Sequence, residues 1–306
     1  MDLKSKFEKG KANRTFQRID STYIVNIFVG FDDDGRMTVV ITENSVYKQI
    51  SSTKLIEVAL KMRNDGKMAL SFSLLDTAYE SLFLIFCNDI IAICERAGSD
   101  QAITSAIIRW KYWKEMFGKR KQTVLDKQEI KGLIGELLIL KEGILTRWGE
   151  ERAVQAWMGP LLGHKDFEID DTWYEIKSIN ENALQVKISS LEQLESDKKG
   201  HLIVVRLEDT STVAENSINI NKLTAEIIGL ITDVENLSVF QTKLDNIGYS
   251  FDEEYNSWNF LYKGRQSYYV DEAFPRIRKQ DVDSAIGNAQ YTIMLNGIER
   301  FKEDLV

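Results

Sequence analysis

The run Gly132-Leu-Ile-Gly-Glu-Leu-Leu-Ile-Leu140 is apolar nearly all round, and Glu136 is the only charge within it. A helix of that kind is buried on every side, which places it inside a layered core rather than on a surface. A carboxylate in such a helix is costly unless it is paired or bound to a cation. Gly132 and Gly135 leave the helix thin enough for another backbone to come close. The group that completes Glu136 must therefore come from elsewhere in the chain.

One stretch can supply it. Gly163-His-Lys-Asp-Phe-Glu-Ile-Asp-Asp-Thr-Trp-Tyr-Glu-Ile-Lys-Ser-Ile179 reads as two short strands joined by the Asp170-Asp171 turn. Period-2 geometry puts Asp166 and Glu168 on one face of the first strand, and Glu175 and Lys177 on one face of the second. Oxygen ligands of this kind suit a hard cation such as Mg²⁺, and a neighbouring ammonium can hold or polarise a water. That is equipment for hydrolysing a phosphodiester. The Glu-x-Lys triplet alone says little, since about one or two arise by chance at ordinary composition. A second copy, Glu129-Ile130-Lys131, lies in a helical pattern, where residues two apart do not face each other. Glu136 finds its natural partner in Lys177 or in a metal held by Asp166 and Glu175. A plain Glu136–Lys177 ion pair is the competing explanation.

The totals narrow the class. The 306 residues carry a net charge of −8, which argues against a wholesale coating of nucleic acid but leaves room for a local basic groove. Cys87 and Cys94 lie seven apart in an apolar helical stretch and are expected as buried thiols, not as a disulfide or a metal-ligand set. The two histidines, His164 and His201, exclude a histidine-rich zinc site. The Met-Asp-Leu-Lys-Ser-Lys start lacks a signal-peptide apolar region, and Leu82–Cys94 is too short to span a bilayer, so no membrane and a cytoplasmic location are expected.

Along the chain, strands around Tyr23–Val29 and Met37–Ile41 flank the Asp32-Asp-Asp-Gly35 turn, and Leu55–Met62 and Met68–Leu74 flank Asn64–Lys67. A helix from about Thr77 to Arg96 closes this part, giving a β-rich domain over residues 1–98. Residues 101–121 place Ile103, Ile107, Trp110, Trp113 and Phe117 at helical spacing, a core stripe rather than a base-stacking platform. The same helix and its exit carry Arg109, Lys111, Lys114, Lys119, Arg120 and Lys121. These form either a solvated face or a patch that contacts phosphate. After the hairpin come a strand at Leu184–Ile188, a short helix at Ser189–Leu194 and a buried strand at Gly200–Leu207. The core is expected over 99–210, and an α+β extension over 211–306.

The acidic helix, the strand with Asp166, the strand with Glu175-x-Lys177, the short helix and the buried strand together resemble the PD-(D/E)XK nuclease superfamily. The chain is most similar there to nucleases encoded beside bacterial restriction–modification or phage-defence genes. The resemblance rests on Gly132-Leu-Ile-Gly-Glu136, Lys165-Asp-Phe-Glu168, Tyr174-Glu-Ile-Lys177 and Ile188-Ser-Ser-Leu-Glu-Gln-Leu194, over about residues 130–207. It implies an α/β (mixed α+β) fold with a restriction-endonuclease-like core. It also implies metal ligation by Asp166 and Glu175, with Glu136 as the acid from the first core helix, and water activation by Lys177. Gln185 or Gln193 would take an auxiliary polar role. The proline of the superfamily's name is absent, Lys165 standing in its place.

The implied activity is Mg²⁺-dependent DNA endonuclease cleavage, with Mn²⁺ able to substitute. DNA is the implied partner, with other defence proteins or a second copy of the chain as further ones. The rival is a catalytically inactive DNA-binding or scaffolding subunit of a defence complex. NTP hydrolysis fits badly, because Gly159-Pro-Leu-Leu-Gly-His-Lys165 has neither the spacing of a phosphate-binding loop nor a Gly-Lys-Ser/Thr.

Overall fold

The computed structural model describes residues 3–11, 15–44, 50–118, 125–161, 165–212 and 214–304. They fall into two compact units. The first is Met1–Arg120 with Ala225–Thr232, and the second is Lys121–Thr224 with Asp233–Val306. The sequence suggested three parts. The helix after residue 98 instead counts with the first unit, and residues 211–306 are divided between the two.

In the first unit, α1 (Leu3–Lys11) precedes five strands: β1 (Gln17–Arg18), β2 (Asn26–Phe31), β3 (Met37–Glu43), β4 (Ile56–Met62) and β5 (Met68–Leu74). They form one antiparallel sheet in the order β1-β2-β3-β5-β4. The aspartate-rich stretch is a turn, as expected: the Asp32 carboxylate accepts from the Arg36 amide at 2.8 Å, and Gly35 takes a φ of 77°. Two helices, α2 (Glu80–Ala97) and α3 (Ala102–Gly118), complete the unit. Phe86 of α2 lies edge-on to Phe72, Trp110 and Trp113, so both tryptophans are core residues.

Thr77–Ala97 is long and apolar enough to cross a membrane by length and composition, contrary to the shorter span read from the sequence. Its Phe83, Phe86, Cys87, Ile90 and Cys94 are buried, however, and the buried Asp89 carries an ion pair to Arg109 at 2.6 Å. That is the pattern of a core helix. The two cysteines are free and buried.

In the second unit, α4 (Lys127–Ile139) starts on a capping box, the Asp126 carboxylate accepting from Glu129 N–H while Glu129 accepts from Asp126 N–H. It continues through a π turn at Leu140–Ile144 into α5 (Leu145–Ala156). The hairpin strands follow as β6 (Phe167–Ile169) and β7 (Thr172–Ile179), then β8 (Gln185–Ile188), a 3₁₀ turn at Leu191–Leu194 and β9 (Lys199–Thr210). Next come α6 (Ile220–Leu230), whose residues from Ala225 on count with the first unit, then α7 (Val234–Ile247), β10 (Asn259–Val270), β11 (Tyr291–Met294) and β12 (Lys302–Glu303). The main sheet runs β12-β10-β9-β7-β6, parallel only between β7 and β9. β8 lies outside it and pairs with β11.

A mixed α/β architecture results. One face of the sheet buries Trp173, Leu202 and Val204 against Val186, Ile188 and Leu194. On the other face α4 lies close to β7. A Cβ at Gly135 would stand 2.0 Å from Ser178 Oγ, so glycine lets the helix approach without displacing that serine.

Candidate active site

Pairing between β6 and β7 ends at Phe167 and Tyr174, just short of Asp166 and Glu175. The Asp166 amide still donates to Tyr174 O at 3.2 Å, and the Asp166 carboxylate then accepts the Ile176 amide at 2.6 Å, taking the place of a strand partner. Asp170, at φ 54°, makes the turn that sets this register. Period-2 alternation then carries Glu175 and Lys177 on the Trp173 side of β7, two residues apart. Lys177 Nζ donates to Glu175 Oε1 at 2.6 Å.

Glu136 arrives from α4. Its Oε2 accepts from the indole Nε1–H of Trp157 at 2.8 Å. The bare α-carbon of Gly159 marks where the two carboxylates converge. A Cβ there would meet Glu136 Oε2 at 2.8 Å and Asp166 Oδ1 at 3.4 Å. The four residues singled out by the sequence thus share one site. Glu175 is buried at 1% exposure, whereas Glu136, Asp166 and Lys177 keep a partial opening to solvent.

Electrostatics bind the four together. Burial, then repulsion from Asp166, holds the Glu136 carboxyl well above the usual carboxylate range. Burial also raises Asp166, against the pull of Lys177. Glu175 is pushed up to about 8 by burial and by Asp166, with Lys177 opposing. Burial works against the Lys177 ammonium, but the surrounding carboxylates, Glu175 first, outweigh it and raise its pKa. Beside these carboxylates Lys177 is favoured as a cation, and it donates a hydrogen bond to Glu175.

Three hard-oxygen carboxylates in excess of one ammonium fit a divalent cation in chemistry, because a cation would offset the repulsion that now keeps them from ionising together. Among the described residues, no three His, Cys, Asp or Glu side chains are already closed to metal-ligand spacing. Glu175 Oε1 is engaged by Lys177 instead.

The other sequence candidates separate. Arg109 is 3% exposed and grips Asp89 with two nitrogens, at 2.6 and 2.8 Å, and the Ile228 carbonyl besides. It is a core residue and not a phosphate contact, because it is buried on its ion pair with Asp89. Lys111 is exposed, and Lys114 donates to Ser51 Oγ at 2.5 Å. Lys119, Arg120 and Lys121 lie outside the described residues. Gln185 is exposed on β8. Gln193 turns its Oε1 back to the Ser189 amide at 2.7 Å, a local brace for the 3₁₀ turn. Glu168 is exposed and paired with Lys198 at 2.9 Å.

Three contributors were not anticipated: Trp157, Gly159 and Lys165. Lys165 is buried against the Trp173 ring, 4.2 Å from its centroid, and donates to the carbonyls of Glu192 and Glu195. Burial lowers its pKa to about 8. None of the three carries a sequence signal of its own, because their roles depend on chain segments brought together by folding.

Fold and site define an α/β protein with an acid–lysine cluster built on a β-hairpin and a core helix. A family model described as "Putative PD-(D/E)XK family member, (DUF4420)" matches residues 4–296. The chain belongs to that family. The searches of curated proteins and of solved structures found no match.

Proposed function

We propose that the protein is a divalent-metal-dependent DNA endonuclease, with Mg²⁺ as the working ion and Mn²⁺ able to replace it. The observation that carries this is the convergence of Glu136 and Asp166 at Gly159, with the Glu175–Lys177 pair close enough to act electrostatically on both. Asp166, Glu175 and Glu136 would hold the cation, Glu175 turning from Lys177 to do so. When bound, the ion supplies Lewis-acid polarisation of the phosphate and activation of water. Lys177, released from Glu175, then offers its N–H groups to the attacking water or to a phosphate oxygen.

Cleavage of plasmid DNA by the purified chain in Mg²⁺ tests this. Alanine at Asp166, Glu175 or Lys177 should remove cleavage by about a hundredfold or more and leave the fold intact. Full activity in any of the three variants would overturn the assignment.

The Glu175–Lys177 pair favours a second reading, a catalytically silent DNA-binding or scaffolding subunit of a defence complex, with the pair kept for structure. On that reading Mg²⁺ neither stabilises the protein nor permits cleavage. Association with restriction or phage-defence proteins, a homodimer that cuts both strands and a cytoplasmic setting without membrane attachment extend the endonuclease reading. Sedimentation on duplex DNA, with one or two copies bound, addresses the dimer.

A further inference from the structure

The segment that follows α5 touches both outer acids. Trp157 gives its indole N–H to Glu136, while the amides of Met158 and Gly159 donate to the Asp166 carbonyl at 2.7 and 3.2 Å. Trp157 also bridges to Phe167, the residue after Asp166. The placement of both carboxylates thus follows from how residues 157–159 are held.

They are held from behind by α7. Lys243, 4% exposed, donates to the carbonyls of Val154, Gln155 and Trp157 at 2.8, 3.0 and 2.5 Å. One turn earlier on the same helix, Phe240 lies against the Trp157 ring, with centroids 5.6 Å apart. The end of a helix leaves carbonyls without amide partners, and a single ammonium satisfies three of them here. A helix end could be closed by water or by glycine at no cost in buried charge. A lysine in the apolar stripe of α7 is instead an expensive choice, and it fixes the direction of the chain as it leaves α5.

We propose that Lys243 and Trp157 are positioning residues for the acidic site, Lys243 locking the 157–159 segment so that the Trp157 indole holds Glu136 and the segment's amides hold Asp166. The proposal rests on the metal-binding reading of that site and adds two residues that touch neither cation nor substrate.

Titration of the full-length protein with Mn²⁺ alone, followed calorimetrically, tests it. Trp157→Phe keeps an aromatic ring beside Phe240, though a smaller one, and removes the N–H that Glu136 accepts, so it should weaken Mn²⁺ binding about tenfold or more, the effect of losing a hydrogen bond that orients a ligand. Lys243→Met should do the same, and Lys243→Arg should restore most of the affinity. Wild-type affinity in Trp157→Phe would overturn the proposal, even if Lys243→Met fails to fold. A metal-free readout separates this outcome from failure of the metal reading itself. The Trp157 indole N–H resonance should move in Glu136→Gln and again in Lys243→Met or Lys243→Arg. If the wild type binds no Mn²⁺, the metal reading falls. An indole resonance unmoved in both Lys243 variants overturns the positioning role whether or not metal binds.

Discussion

At the scale of single residues, the site is a problem of charge. In the metal-free protein Glu175 keeps its proton up to about pH 8, whereas an unfolded glutamate releases it near 4.5. Between these values the folded state binds more protons, so stability falls as pH rises through the window. Glu136 and Asp166 shift in the same direction. The Lys177 shift acts only above the usual lysine range and leaves this window alone. Thermal melts in chelator should therefore show a midpoint that drops from about pH 5 to about pH 8. Saturating Mg²⁺ should flatten or reverse that slope, because binding to ionised carboxylates releases the protons. Glu175→Gln should flatten it without metal. Gly159→Ala makes a second residue-scale prediction. The backbone accepts alanine there, but the new methyl stands 2.8 Å from Glu136 Oε2 and must displace it. Mn²⁺ affinity should fall by about tenfold or more in a folded protein, as measured by calorimetry.

At the scale of elements, α4 and β7 act as one piece. Gly135 lets the helix lie against Ser178 and Ile176, and this contact carries Glu136 toward the hairpin. Gly135→Ala puts a methyl 2.0 Å from Ser178 Oγ, so the helix must move or the serine must rotate. Overpacking of this kind costs about 1–3 kcal/mol, readable from urea denaturation, and activity should fall further than stability because Glu136 shifts with the helix. Both the helix and the hairpin were legible in the sequence. An all-round apolar run with one acid specifies a buried helix, and alternation around Asp170-Asp171 specifies two strands with their acids on one face. The partners of β8 were not legible. Gln185–Ile188 has the alternation of any half-buried strand, and nothing local distinguishes β11 as its neighbour from the main sheet.

At the scale of the whole molecule, the chain holds two compact units. Asp89 and Arg109 form a buried ion pair in the first, reinforced by the Trp113 indole at 2.6 Å. Asp89→Ala strands a buried guanidinium and should cost about 3–5 kcal/mol in denaturant unfolding. Because all four site residues lie in the second unit, the stabilisation gained from Mg²⁺ should persist in that variant. The sequence by itself determined the element types, the identity of the four convergent side chains and the core role of Trp110 and Trp113, since periodicity and isolated charges in apolar runs are local properties. Only the tertiary structure decided that Arg109 faces inward, that Trp157 and Lys243 stand behind the acids and that Gly159 leaves the gap between them. Those facts depend on segments far apart in the chain meeting in space, and one-dimensional patterns of hydrophobicity and charge carry no record of which distant partner satisfies a buried polar group.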